Sequence, residues 1–165
     1  MFSGKKGNYK EDDSSDAEDV YGKTKYLGEL SASHCITFRT SIIGRELAGK
    51  KSLFEWFLAQ SGKITGYRKA IFSGFTTIEF SRIVGKVLKE YPEKSGIYHV
   101  SSAPISKYEL LLLFRKYTNK DIEIGADDNF ICDRSLNSTL FRSEFKYSSP
   151  EWEIMIEELV KTSIR

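Results

Sequence analysis

The fold of this chain is indicated first by nine residues that read YGKTKYLGE, residues 21–29. The periodicity around them predicts a helix over residues 20–33. Its apolar side is expected to carry Tyr26, Leu27 and Leu30. Tyr21 and Lys25 are four residues apart, so on this helix their side chains project from one face. A lysine ammonium beside a phenol favours the phenolate, and such a pair can exchange a proton with a carbonyl or hydroxyl oxygen.

The spacing of this pair carries little information by itself. With nine tyrosines and 17 lysines in 165 residues, about one Y-x-x-x-K is expected by chance. One occurs. The pair therefore also fits a surface tyrosine beside a solubilising lysine, and the surrounding sequence has to decide between the two interpretations.

The surrounding sequence alternates between strand and helix patterns. Strands are predicted at residues 35–41, 97–101 and 122–124, and the glycines of residues 62–66 indicate turns. Helices are expected after Ser52, after the capping boxes Thr76/Glu79 and Ser106/Glu109, and from Ser149 with Pro150 in the first helical position. Residues 1–19, with six acidic side chains, are predicted to form a solvated loop. This alternation is typical of an α/β fold with a largely parallel sheet.

Composition excludes several classes of protein. The net charge of +2 argues against nucleic-acid binding driven by bulk charge. No apolar run approaches the roughly 20 residues that span a bilayer, and the first residues lack the apolar core of a signal peptide, so a cytoplasmic protein is expected. Two cysteines and two histidines show no metal-ligand spacing, so no metal site is predicted.

Four segments resemble one family, the extended short-chain dehydrogenase/reductases, in its dTDP-4-dehydrorhamnose reductase branch. Residues 21–29 resemble the Y-G-x-[ST]-K-x-x-G-E signature, and residues 2–11 resemble the F-D-G…G-P-Y-x-E segment before it. Residues 38–44, FRTSIIG, are similar to R-T-S-W-V-Y-G. Residues 134–138, RSLNS, resemble R-P-x-N-S, with Ser135 in place of the proline.

The resemblance implies a role for each candidate site residue. Tyr21 is the catalytic acid or base, and Lys25 assists it and binds the ribose of NADP or NAD. Thr40 and Ser41 are expected near the nicotinamide. Ile42, where rhamnose-forming relatives typically carry tryptophan, and Arg134 are expected to contact a nucleotide-sugar substrate. A purely structural salt bridge remains an alternative for Arg134.

The resemblance also implies an incomplete dinucleotide fold. The sequence contains no G-x-G-x-x-G turn for the cofactor pyrophosphate, and the family's catalytic serine or threonine would precede residue 2. We therefore expect the C-terminal part of a Rossmann-type doubly wound parallel sheet, interleaved with a small, mostly helical substrate lobe, without the N-terminal βαβ units. This chain alone is expected to be inactive and to bind NAD(P)H weakly or not at all.

The expected domain organisation interleaves two lobes. Residues 1–45 form the remainder of the NAD(P)-binding domain, and residues 46–165 form mainly the substrate lobe, with strand 97–101 returning to the first sheet. The resemblance allows a homodimer. Two alternatives to a keto-sugar reductase stay open: a non-catalytic binding or regulatory module of the same fold, and a sugar-nucleotide epimerase or dehydratase.

Overall fold

Helices and strands alternate along residues 1–49 and 51–163, the part of the chain that the computed structural model describes. The helices are α1 (Val20–Leu27), α2 (Leu53–Ala59), α3 (Thr77–Glu90), α4 (Lys107–Thr118), α5 (Thr139–Glu144) and α6 (Trp152–Ser163). The strands are β1 (Ile36–Arg39), β2 (Ile42–Ile43), β3 (Gly62–Tyr67), β4 (Ala70–Phe72), β5 (Phe75–Thr76), β6 (Gly96–His99), β7 (Ile105–Ser106), β8 (Ile122–Asp127) and β9 (Cys132–Asp133).

Most strand pairs are parallel. β1 pairs with β6, with Ile36 opposite Gly96, and β2 pairs with β5. β3 pairs with β8, and β4 lies between β9, which is parallel to it, and β7, which is antiparallel. Parallel pairs need long crossover connections, which the intervening helices provide. The prediction of an α/β fold with parallel strands is confirmed, and the strands expected near 35–41 and 97–101 form and pair with each other.

A phenylalanine-rich core joins these elements. Phe114 of α4 is fully buried and contacts Phe54 and Phe57 of α2, with ring centroids 5.0 and 5.5 Å away. Phe141 and Phe145 stack at 4.6 Å beneath β6. Helix α6 packs against both α3 and α4, and α3 lies against β2 and β5, so this core holds β2 in place.

Most helix starts follow the predicted caps. Ser52 caps α2, and Ser106 with Glu109 forms the complete capping box of α4. At α3, the Thr76 hydroxyl accepts from the Glu79 N–H, but the Glu79 carboxylate accepts from the Tyr147 hydroxyl instead. The expected start at Pro150 is wrong, because α6 begins two residues later, at Trp152.

Helix α1 is shorter than predicted. It ends at Leu27 rather than at residue 33, and Gly28 is its C-cap, with the Gly28 N–H donating to the last turn. The expected apolar side is exposed, with Leu27 80% and Leu30 64% accessible.

The first 19 residues are not a solvated loop. Phe2, Tyr9 and Ala17 are buried, and Phe2 stacks on Tyr9 with ring centroids 4.2 Å apart. Tyr9 forms a parallel bridge with Leu136, and its carbonyl accepts from the Asn137 N–H at 2.7 Å. This segment therefore packs against residues 134–138, although most of its acidic side chains remain at the surface.

Residues 62–66 form a strand and not the predicted turns. Gly66 lies in β3, where an added Cβ would approach the Tyr108 backbone to 3.0 Å. The glycine thus permits close packing of the strand against α4. In the sequence alone, such a glycine cannot be distinguished from one that marks a turn.

Candidate active site

One cleft brings together all six site residues predicted from the sequence. It encloses about 580 Å³ and opens between α1, the ends of β1 and β2, and the segment after β9. Its lining is formed by Met1, Phe2, Asp19, Tyr21, Gly22, Lys25, Arg39, Thr40, Ser41, Ile42, Phe80, Arg134 and Leu136. The residues come from segments more than 100 positions apart, so only the fold can have assembled them.

Helix α1 presents Tyr21 and Lys25 to this cleft. The Asp19 carboxylate caps the helix by accepting from the Gly22 N–H at 2.6 Å. A Cβ at Gly22 would collide with the Ala17 side chain and the Met1 backbone. Glycine is therefore required where α1 crosses the first segment, residues 1–19. The Lys25 ammonium lies 5.5 Å from the centroid of the Tyr21 ring. Tyr21 is 71% exposed, which leaves its hydroxyl accessible to a ligand.

The turn between β1 and β2 presents Thr40, Ser41 and Ile42. The Ser41 carbonyl accepts from the Phe75 N–H at 2.9 Å, which fixes the turn against β5. A Cβ at Gly74 would overlap the Ser41 carbonyl, so Gly74 allows this contact. The turn leaves Ser41 and Ile42 exposed at the cleft.

Arg134 faces the same cleft from the opposite side. Its Nε donates to the Ser3 carbonyl at 3.4 Å, and it takes part in none of the salt bridges of residues 1–49 and 51–163. Among the described residues, the structure therefore shows no salt bridge of Arg134. The hydrogen bond from the Gly22 N–H lowers the pKa of Asp19, and the positive charge of Arg134 adds to this effect. Its terminal nitrogens can pair with an anionic ligand.

Ser135, which departs from the family's proline, has a structural contact. Its side chain is buried and its hydroxyl accepts from the Asn8 N–H at 2.8 Å. The hydroxyl therefore helps to hold the first segment beside Arg134.

Sequence reasoning missed two parts of the cleft, its apolar lining residues and the buried arginine beneath them. Phe2, Phe80 and Leu136 form apolar lining. Arg39 lies beneath them, with its side chain only 8% exposed. An arginine inside a strand was a signal of a buried ion pair, since a buried charge needs a partner.

The chemistry of the lining suits part of a nicotinamide cofactor. The Lys25 ammonium and the hydroxyls of Tyr21, Thr40 and Ser41 are donors of the kind that bind a ribose and a carboxamide. The sequence has no glycine-rich turn for a pyrophosphate. Within the described ranges, no group of His, Cys, Asp and Glu side chains could hold a metal ion, and no helix is long and apolar enough to cross a membrane.

Solved structures with a similar fold include dTDP-4-dehydrorhamnose reductases, a dTDP-glucose 4,6-dehydratase from Bacillus anthracis and an L-threonine 3-dehydrogenase from Trypanosoma brucei. The enzyme from Clostridium acetobutylicum is 18% identical, with a TM-score of 0.80 over 99% of this chain and 63% of its own. The Bacillus anthracis enzyme in complex with NADP is 19% identical, with a TM-score of 0.80 over 98% of this chain and 61% of its own. A hypothetical reductase of this type from Sulfolobus tokodaii is 26% identical, with a TM-score of 0.71 over 86% of this chain and 54% of its own.

These matches establish the Rossmann-like α/β fold. The chain spans about 60% of the length of the solved structures that it matches. No protein-family model and no curated protein sequence matches it.

Proposed function

We propose that this chain carries the proton-transfer pair and the substrate-binding portion of a reductase that uses NADPH or NADH to reduce the keto group of a nucleotide-activated sugar. The observation that carries the proposal is the shared cleft of Tyr21, Lys25, the turn at residues 40–42, and Arg134. The fold shared with dTDP-4-dehydrorhamnose reductases supports it.

The cofactor would bind beside α1. NADPH or NADH supplies the hydride when it is bound. Tyr21, Lys25, Thr40 and Ser41 would hold its nicotinamide and ribose. The sequence contains no glycine-rich turn at a helix N-terminus, so the cofactor pyrophosphate would need phosphate-binding donors that these residues do not supply.

Tyr21 would transfer the proton. As the keto carbon accepts the hydride, negative charge develops on its oxygen, and the accessible Tyr21 hydroxyl donates a proton to that oxygen. The product is an alcohol, and Tyr21 is left as a phenolate. The Lys25 ammonium, which lies over the ring, stabilises that phenolate until the hydroxyl regains a proton from water.

The other side of the cleft would bind the nucleotide sugar. Arg134, which has no salt-bridge partner among the described residues, would pair with the diphosphate. Ile42 would pack against the sugar ring. A guanidinium without a salt-bridge partner among the described residues, in a cleft that also has apolar lining, suits a ligand with an anionic group attached to a less polar ring.

Binding of dTDP-rhamnose, the alcohol formed when dTDP-4-dehydrorhamnose is reduced, tests the substrate class on this chain as it is. We expect calorimetry to detect binding, and Arg134→Met to weaken it about 10- to 100-fold, the value of a charge-assisted hydrogen bond or two. Arg115→Met is the matched control, since Arg115 is exposed on α4 and lies outside the cleft lining. Equal affinities for the two variants, or no binding to the starting protein, would contradict the proposal.

A further inference from the structure

Helix α1, which carries Tyr21 and Lys25, has little hydrophobic anchoring. Gly22 is its only buried residue, and Val20 and Leu27 are 77% and 80% exposed. Within residues 1–49 and 51–163, no other helix or strand packs extensively against it. Since apolar burial is what usually fixes a helix in a protein, another interaction has to set its position.

A buried ion pair directly after the helix supplies that interaction. The Glu29 carboxylate accepts from both Nε and Nη2 of Arg39, at 2.8 and 2.9 Å. The two side chains are 9% and 8% exposed. Beside the pair, the Thr37 hydroxyl donates to the Leu30 carbonyl at 2.8 Å. The connection after α1 is thus held to β1 by polar contacts in a fixed, bidentate geometry.

The third nitrogen of the Arg39 guanidinium extends the connection to two further segments. Nη1 donates to the Glu11 carbonyl at 3.0 Å and to His99 Nε2 at 3.1 Å. The His99 Nδ1–H donates to the Tyr9 carbonyl at 2.8 Å, which leaves Nε2 as the acceptor. Arg39 therefore ties β6 and the first segment to α1 and β1. Lysine could not form these contacts together, because it lacks the planar arrangement of donors.

We propose that Arg39 is the positioning residue of the candidate active site. It is the last residue of β1, directly before Thr40 and Ser41, and its partner Glu29 lies four residues after Lys25. The pair therefore sets the separation between the Tyr21–Lys25 face of α1 and the turn at residues 40–42. Its relevance to catalysis rests on the proposed function, whereas the geometric claim can be tested without any activity.

A distance measurement separates positioning from mere stabilisation. Nitroxide labels are placed at Thr24, exposed on α1, and at Leu88, 70% exposed on α3, after replacement of Cys35 and Cys132 by serine. Electron double resonance then reports the distribution of distances between helix and core. A second label pair, at Leu88 and the exposed Glu153 of α6, shows that the core is folded.

We expect a broadened and shifted Thr24–Leu88 distribution in both Arg39→Met and Glu29→Gln, an intermediate effect in Arg39→Lys, and an unchanged Leu88–Glu153 distribution. Glu123→Gln is the matched control, because Glu123 pairs with Lys63 at the surface, where the side chains are 66% and 68% exposed. If Arg39→Met does not fold, the Thr24–Leu88 distribution of Glu29→Gln is the deciding measurement. This variant is expected to fold, since the glutamine oxygen keeps an acceptor for the guanidinium. A Thr24–Leu88 distribution that matches the starting protein in the folded variants would overturn the proposal.

The outcome is independent of the proposed reaction. If Tyr21 does transfer the proton, Arg39→Met should lower kcat about 10²-fold, as misplacement by about 1 Å can. A broadened distribution together with unchanged turnover in Tyr21→Phe would support positioning by Arg39 and reject the proposed function. An unchanged distribution together with lost turnover in Tyr21→Phe would do the reverse.

Discussion

Removal of the Tyr9 hydroxyl should loosen the attachment of residues 1–19 to the rest of the protein. Tyr9 is 2% exposed, and its hydroxyl accepts from the N–H groups of Gly4 and Lys6 at 3.1 and 3.2 Å. Tyr9→Phe keeps the stacked ring but removes the acceptor. The Gly4 N–H is buried, so the loss of its partner costs about 1–3 kcal/mol, whereas the more exposed Lys6 N–H can turn to water at a smaller cost.

The assay is hydrogen exchange of the backbone amides of residues 4–17, read by mass spectrometry. A cost of about 1–3 kcal/mol corresponds to exchange roughly 5- to 150-fold faster, since 1.4 kcal/mol is a factor of ten. Amides of α4 should be unaffected, because the loss is confined to the local opening of this segment. Tyr26→Phe is the matched control, since Tyr26 is 47% exposed on α1. Equal exchange in the two variants would refute the conclusion that the Tyr9 hydroxyl holds the segment in place.

Three further predictions follow from the buried residues and from the cofactor argument. Burial lowers the pKa of His99, so as the pH falls the imidazole is protonated in the unfolded chain before it is protonated in the folded protein. The free energy of unfolding should therefore fall as the pH drops below about 6.5. His99→Gln should flatten that fall in urea titrations between about pH 7 and 5. Phe114→Ala should cost about 3–5 kcal/mol in urea unfolding, because the ring fills the space between Phe54 and Phe57. Calorimetry with NADPH or NADH should show no micromolar binding to this chain, since the glycine-rich phosphate site is not in its sequence; micromolar binding would require another phosphate site.

The sequence predicted the elements whose signals are local. The helix start before Tyr21, the strand at 35–41 and the Ser106/Glu109 capping box each depend on a few neighbouring residues, and all three form. The resemblance to the reductases named six site residues, and they line one cleft. Their roles in binding and catalysis stay predictions.

The features that sequence reasoning missed depend on contacts between distant residues. Phe2 and Tyr9 are sparse apolar residues among charged ones, and their burial requires the segment at residues 134–138, which no local pattern reveals. Directly after the early end of α1, Glu29 pairs with Arg39, ten residues later, and no local pattern predicts this contact. Gly66 was interpreted as a turn residue because its role in the structure, close packing against α4, depends on Tyr108, about 40 residues further along the chain.

The central claim is that Tyr21 donates the proton to a keto sugar, and turnover of Tyr21→Phe tests it most directly. This chain, fused behind the glycine-rich N-terminal segment of a dTDP-4-dehydrorhamnose reductase, is assayed with dTDP-4-dehydrorhamnose and NADPH, by the loss of NADPH absorbance. Tyr21→Phe should lower kcat about 10²- to 10⁴-fold, the usual contribution of a positioned acid, with little change in cofactor affinity. Tyr26→Phe, on the same helix but outside the cleft lining, should keep the starting turnover. Near-normal turnover in Tyr21→Phe would contradict the claim that Tyr21 donates the proton.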